Sequence, residues 1–257
     1  MRLTVLGTAS HYPTPEAACS GYLLEHGRAA VWVDAGPGSL AELQRHRSPA
    51  DLDALWISHA HADHTADLLP LYYALAFGDL PPRPPLPLLG PADLRGRLVG
   101  FLGPGAGPEL DRVFAFASLA DRRSLRIGGL ELDWEAVPHD VPAWALRARA
   151  GDASLVYTGD ATLSPGLVAF AGGCDLLLSE AGADRPDGSH LTPEDAGALA
   201  ADARAGRLLL THLALGLDPA EAVRRAAGNY DGPIAPARPG DVVSVGPVSE
   251  AVPTVEA

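Results

Sequence analysis

Four side chains able to bind a metal fall within six residues in the segment Ser58-His59-Ala60-His61-Ala62-Asp63-His64, directly after the apolar run DLDALWIS. In extended backbone, side chains two apart point the same way, so His59 and His61 can grip one ion together. Asp63 and His64 fall where the next helix begins, and the turning chain can aim them at a second ion close by. Imidazole and carboxylate without thiolate suit Zn²⁺, with Mn²⁺ or Fe as alternatives. A pair of such cations activates water for hydrolysis.

Two ions need more ligands than one loop supplies. Three further candidates stand where later strands end: His139 after LELDWEAVP, Asp160 after SLVYTG, and His212 after RLLLT. Strand ends are where sites gather in layered α/β folds. Taken singly, each has a plainer reading, a hydrogen-bonded structural histidine or a turn-forming aspartate. Together with the histidine loop they form a ligand set. Asp34, in VDAG, either orients a ligand imidazole or forms a turn. His11 lies in the loop after the first strand, where a surface role is expected with contact to substrate as the alternative, while Cys19 and Cys174 read as packing residues.

The rest of the chain must position these groups. Of its 257 residues, 47% are apolar and 20% charged, which excludes global disorder. Two cysteines are too few for a disulfide framework or a thiolate zinc site. No segment approaches the ~18 apolar residues of a membrane span, and MRLTVLG lacks a signal-peptide core, so a cytoplasmic protein is expected. A net charge of −13 argues against a polyanion binder. Apolar runs predict strands over 3–6, 21–24, 30–33, 54–58, 86–89, 113–117, 130–137, 144–149, 155–157, 176–179, 208–211 and 242–245. Helices are predicted over 39–45, 63–77, 92–101, 192–203 and 219–227, the fourth opened by Thr192 as N-cap with Pro193 and Asp195 behind it. Residues 81–91 (PPRPPLPLLGP) read as a stiff connector, and the basic cluster at 121–126 as a solvated turn. With no composition break, residues 1–257 read as one domain of two sheets covered by helices.

The order of these motifs resembles the metallo-β-lactamase superfamily over nearly the whole chain. The resemblance implies an α/β (α+β) fold, a four-layer αββα sandwich, with a dinuclear site at the edge of its sheets. It implies that His59, His61 and His139 hold one metal, Asp63, His64 and His212 the other, and that Asp160 bridges them. The C-terminal half is similar to the ribonuclease Z-type phosphodiesterase branch through Ser179-Glu180-Ala181, Ser189-His190-Leu191-Thr192 and Leu210-Thr211-His212. There the resemblance implies that Glu180 and His190 form a catalytic pair beside the metals, the carboxylate keeping the imidazole cationic and ready to protonate an alkoxide. LTVLGTAS, VDAGPGSL and HLT also resemble a group that includes atypical cyclic-nucleotide phosphodiesterases. This chain departs from that group with Asp140 where a Pro usually follows the histidine, and with Ala161 where Thr usually follows the aspartate.

The expected function is a dinuclear metal-dependent hydrolase that attacks a small phosphodiester, such as a cyclic nucleotide, with metal-activated hydroxide. Asp63 would help aim the attack, and His190 with Glu180 would supply the acid. The alternatives are a thioester or lactone hydrolase, a tRNA 3′-processing endonuclease, and a metal-binding accessory protein without turnover. The Glu180–His190 pair favours the first reading, because an alkoxide needs a proton and a carrier does not. The expected partners are a small-molecule substrate and two divalent ions, with no nucleic acid and no membrane. A homodimer is left open.

Overall fold

Strands β1 (Arg2–Gly7), β2 (Gly21–His26) and β3 (Ala29–Ala35) are buried along almost their whole length. Both faces of these strands are therefore covered. In the computed structural model, which describes residues 1–246, they continue into β4 (Ala54–Trp56), β5 (Leu86–Gly90) and β6 (Phe114–Ser118). The second half supplies β7 (Ser124–Ile127), β8 (Leu130–Val137), β9 (Ala143–Ala150), β10 (Ala153–Tyr157), β11 (Leu176–Ala181), β12 (Leu208–Leu213) and β13 (Ile234–Pro236). The last strand, β14 (Val242–Ser244), returns to pair with β1. The expected domain thus extends beyond the described residues at 247–257.

Two seven-stranded sheets result, in the orders β14-β1-β2-β3-β4-β5-β6 and β13-β12-β11-β10-β9-β8-β7. Each is half antiparallel and half parallel: β3 to β6 run parallel in the first, β10 to β13 in the second. The alternation of side chains then sorts the core into three layers. Val31, Val33, Trp56, Trp134, Leu146 and Leu155 fill the space between the sheets. Trp32, Leu55 and Ile57 face the other way, onto helices α1 (Ser39–Leu43), α2 (Ala62–Thr65), α3 (Leu68–Phe77), α4 (Leu94–Leu102) and α5 (Gly107–Val113). Val156 and Leu177 face α6 (Pro165–Ala171), α7 (Pro193–Asp202) and α8 (Pro219–Ala226). This is the expected four-layer αββα sandwich. No helix among the described residues is long and apolar enough to cross a membrane.

The departures from expectation have local causes. The helix predicted over 63–77 is broken at Asp67, whose amide bonds the Ala35 carbonyl and whose carboxylate accepts from Leu40 N, tying the break to β3 and α1. Helices α5 and α6 open on Gly107-Pro108 and Pro165-Gly166, pairs that read as turns in sequence. The basic cluster at 121–126 is not simply a turn, because Ser124 to Arg126 belong to edge strand β7. Arg123 and Arg126 pair across the strands with Glu135 and Glu131, the charged dressing that keeps an edge from pairing further. Edge strand β13 was hidden by its proline. The proline-rich segment does act as a connector: Arg83 donates to the carbonyls of Pro49, Ala50 and Leu52 before the chain enters β5.

Helix α7 begins as the sequence predicts, and its start fixes the loop that carries His190. Thr192 Oγ1 accepts from Asp195 N, and the Asp195 carboxylate accepts from Thr192 N, a reciprocal capping box. Thr192→Ala should therefore lower stability by about 1 kcal/mol, seen as a lower denaturant midpoint at unchanged slope. An unchanged midpoint would mean that packing alone holds this turn.

Candidate metal centre

The two sheets meet the site through two bulges. Along β2 and β3, Gly21 pairs with Ala35 and Tyr22 with Val33, leaving Asp34 as the extra residue at φ 53°. Along β11 and β12, Glu180 pairs with Thr211 and Ala181 with Leu213, leaving His212 extra at φ 46°. Bulges re-aim a side chain, and left-handed backbone at a non-glycine residue costs on the order of 1–3 kcal/mol. The two bulges lie at one edge of the sandwich: Tyr22 Oη is 2.7 Å from Thr211 Oγ1, and the Tyr157 hydroxyl donates to Asp34 at 2.8 Å.

Asp34 is wholly buried, and its carboxylate organises the ligand loop. Oδ1 accepts from Ser58 N at 2.7 Å, and Oδ2 accepts from Ser58 Oγ and His64 Nδ1, each at 2.8 Å. Because the Ser58 hydroxyl proton goes to Asp34, its oxygen must accept from His59 Nδ1 at 2.9 Å. His139 Nδ1 likewise donates to the Ser189 carbonyl at 2.9 Å. These acceptors fix the tautomers, so His59, His64 and His139 all present Nε2 as a lone-pair donor. The alternative reading of Asp34 as a turn former is set aside by these contacts.

The seven expected ligands converge. Donor atoms of His59, His61, His139 and Asp160 lie within 4.8 Å of one another, as do those of Asp63, His64 and His212. In the first group, His61 Nδ1 is 3.0 Å from His59 Nε2 and 3.4 Å from His139 Nε2. In the second, His212 Nε2 is 3.2 Å from Asp63 Oδ2. Asp160 stands between the groups, its Oδ2 lying 3.7 Å from His59 Nε2, 3.4 Å from His64 Nε2 and 3.6 Å from His212 Nε2. His64 Nε2 and Asp160 Oδ1 are buried without a hydrogen-bond partner, an arrangement costing about 1–3 kcal/mol per atom when nothing meets it. Divalent cations fit these donors.

Electrostatics agree with that donor set. Burial holds His59 well below its ordinary value, hence neutral, as a ligand must be. Burial opposes the charge on Asp160, but His212 and His64 outweigh it and hold its carboxyl well below the usual range. Burial opposes a charge on His64, but Asp160 and Asp34 push it up, so an ion there would displace a proton.

Glu180 and His190 form the expected pair. Glu180 is fully buried, its Oε1 accepting from Ala161 N at 2.7 Å and its Oε2 from Gly182 N at 2.9 Å. His190 Nδ1 lies 3.0 Å from Glu180 Oε2 and 3.8 Å from Asp160 Oδ2. Burial works against the imidazolium, but the hydrogen bond and charge of Glu180 prevail and push His190 up to about 9.

Two residues outside the expected ligand set also line the site. His11, expected at the surface, is exposed but lines a cavity of about 370 Å³ with His61, Asp63, Asp160, His190 and His212. Its amide donates to Asp63 Oδ2 at 2.9 Å from left-handed backbone, φ 63°. Asp140 lines the same cavity. Its sequence signals are adjacency to His139 and the replacement of the proline usual at that position.

Comparison with known proteins agrees with this architecture. Residues 30–213 match the family model described as Beta-lactamase superfamily domain. An uncharacterized protein of Mycobacterium tuberculosis is 34% identical over 244 residues, covering 91% of this chain and 88% of that one. The probable metallo-hydrolase YhfI of Bacillus subtilis is 30% identical over 223 residues, covering 83% and 87% of the two chains. The crystal structure of YhfI superposes with a TM-score of 0.84 at 28% identity, over 95% of this chain and 99% of that one. Human tRNase Z, short form, shares the fold with a TM-score of 0.74 at 22% identity, over 95% and 99% of the chains.

Replacing Asp34 by Asn keeps the shape but offers a neutral group to four donors. Asp34→Asn should weaken divalent metal binding roughly 10–100-fold, the scale for losing an outer partner of metal-binding histidines, with unchanged far-ultraviolet circular dichroism. Metal affinity equal to wild type would mean that Asp34 serves the fold alone.

Proposed function

This chain belongs to the beta-lactamase superfamily, and on that footing we propose that it is a dinuclear metal-dependent hydrolase acting on a small phosphodiester, a cyclic nucleotide being one candidate. His59, His61 and His139 would hold one divalent ion and Asp63, His64 and His212 the other, with Asp160 between them; Zn²⁺ suits the donors best. Bound there, the two ions would neutralise phosphoryl charge and acidify water from a pKa of 15.7 towards ~7. Asp63, on the cavity wall, would help aim the attacking water.

The observation that carries the reading is the Glu180–His190 pair. Glu180 takes one side of the ring, and among the described residues Nε2 has no protein partner. A cationic imidazole on the cavity wall, with a pKa of about 9, is matched to giving a proton from Nε2 to a departing alkoxide. Glu180 would hold the ring in place and keep it charged until the bond to the leaving oxygen breaks. Such an acid has little to do for a thiolate, which leaves readily without one, and nothing to do in a metal carrier.

Surface charge favours a small substrate over a polynucleotide. All 19 basic residues are arginines, and most are held by carboxylates, as in the pairs Arg47–Glu25, Arg95–Asp111, Arg149–Asp133 and Arg225–Glu194. Gripping a nucleic-acid backbone takes clustered cations free to replace counterions.

His190→Ala should lose roughly 10²–10⁴ in kcat on a diester with a poor alkoxide leaving group, and much less on a p-nitrophenyl diester, with metal content unchanged. Equal losses on both substrates would make His190 a substrate-positioning residue. A wild type that turns over thioesters or lactones but no small diester would contradict the proposed substrate class.

A further inference from the structure

A bound phosphodiester presents two non-bridging oxygens, both acceptors that share its negative charge. The ions would face them from one side, and His190 is committed to the leaving oxygen. Of the side chains lining the cavity, His61, Asp63, Asp160 and His212 belong to the ligand set, Ala62 is apolar and Asp140 is a carboxylate. Among the described residues, the one side-chain N–H donor that remains on the cavity wall is His11. An imidazole donates from at least one ring nitrogen in either tautomer and in either charge state, so this capacity does not depend on pH.

The fold holds that ring in place. His11 sits in left-handed backbone, φ 63°, a conformation that glycine adopts freely and other residues keep only where the surroundings fix it. Its amide donates to Asp63 Oδ2 at 2.9 Å, and one residue earlier Ser10 Oγ donates to the Leu213 carbonyl at 2.8 Å. The loop is thus tied to α2 and β12, the elements that carry Asp63 and His212. The ring itself is exposed and, among the described residues, has neither a hydrogen-bond nor an ion-pair partner. Its centroid lies 6.4 Å from that of His190 and 6.2 Å from that of His212. A hydrogen bond of about 2.9 Å places an acceptor roughly 4 Å from a ring centroid. One phosphoryl group therefore fits between His11 and His190, within reach of both.

We propose that His11 is a substrate-binding residue of this site, its ring N–H donating to a non-bridging oxygen of the scissile phosphodiester on the side opposite His190. This rests on the phosphodiesterase reading above. The two imidazoles divide the work: His11 holds the phosphoryl group, and His190 protonates the alkoxide that leaves it. Because the loop is fastened to Asp63 and beside His212, the ring is placed against the same residues that would hold the second ion.

The test uses the metal-reconstituted full chain as wild type, His11→Gly and His11→Asn, since both replacements suit left-handed backbone. The quantities are kcat/KM on a diester with a poor alkoxide leaving group and on a p-nitrophenyl diester, metal content, and the affinity for inorganic phosphate by calorimetry. His11→Gly should lose roughly 10–100-fold in kcat/KM, the scale of one hydrogen bond to a charged group. The factor should be the same on both diesters, because both carry the same non-bridging oxygens. Phosphate affinity should fall in step, metal content should stay at the wild-type value, and His11→Asn, which keeps a shorter N–H donor, should lie between. Unchanged kcat/KM and phosphate affinity in His11→Gly would overturn the assignment alone. A loss confined to the poor leaving group would move His11 to the leaving oxygen and overturn it as well. Loss of metal from His11→Gly would make the residue a support for Asp63, contradicting the substrate contact. A wild type that turns over neither diester would overturn the phosphodiesterase reading itself, and this assignment with it.

Discussion

A buried carboxylate must be satisfied, and Asp34 meets that demand with four groups from three parts of the chain. Ser58 N, Ser58 Oγ, His64 Nδ1 and the Tyr157 hydroxyl all donate to it. Breaking a buried charge network by removing one partner costs several kcal/mol, so the loop after β4, helix α2 and strand β10 are held to β3 by one residue. The same contacts set the ring orientation of His64 and, through Ser58, of His59. Ligand geometry is therefore a by-product of satisfying Asp34.

The edge of the sandwich supplies what a single loop cannot. Strands β4, β8, β10, β11 and β12 end there, and each delivers a donor or an acid–base group in or just after its last residues. Bulges at Asp34 and His212 turn those two side chains into the site at a cost in backbone strain. The cores on either side supply the rigidity that keeps such strained residues in place. Glu180 and His190 adjoin Asp160 and His212: the carboxylate is sealed by backbone amides, and only the imidazole lines the cavity.

Much of this was legible in the sequence, for identifiable reasons. His59 to His64 could be read because their ligand pattern is local, and His139, Asp160 and His212 because each closes an apolar run. Twelve predicted strands appear, since buried strands carry strong apolar signals. Strands β7 and β13 were hidden because edge strands carry charge or proline instead. The contact of Asp140 with His61 was invisible for another reason. Asp140 meets His61 from 79 residues away, a proximity made by the packing of the two sheets and by no local pattern. Both bulges escaped as well, because a single extra residue leaves the alternation on either side intact.

Most of the proposed chemistry depends on two ions sharing one aspartate. Elemental analysis of purified, reconstituted protein should find about two equivalents of divalent metal per chain. Asp160→Ala should lose both, because its Oδ2 faces donors of both groups, whereas His212→Ala should keep the ion at His59, His61 and His139. One tightly held ion or none in the reconstituted wild type, or two in Asp160→Ala, would contradict the account.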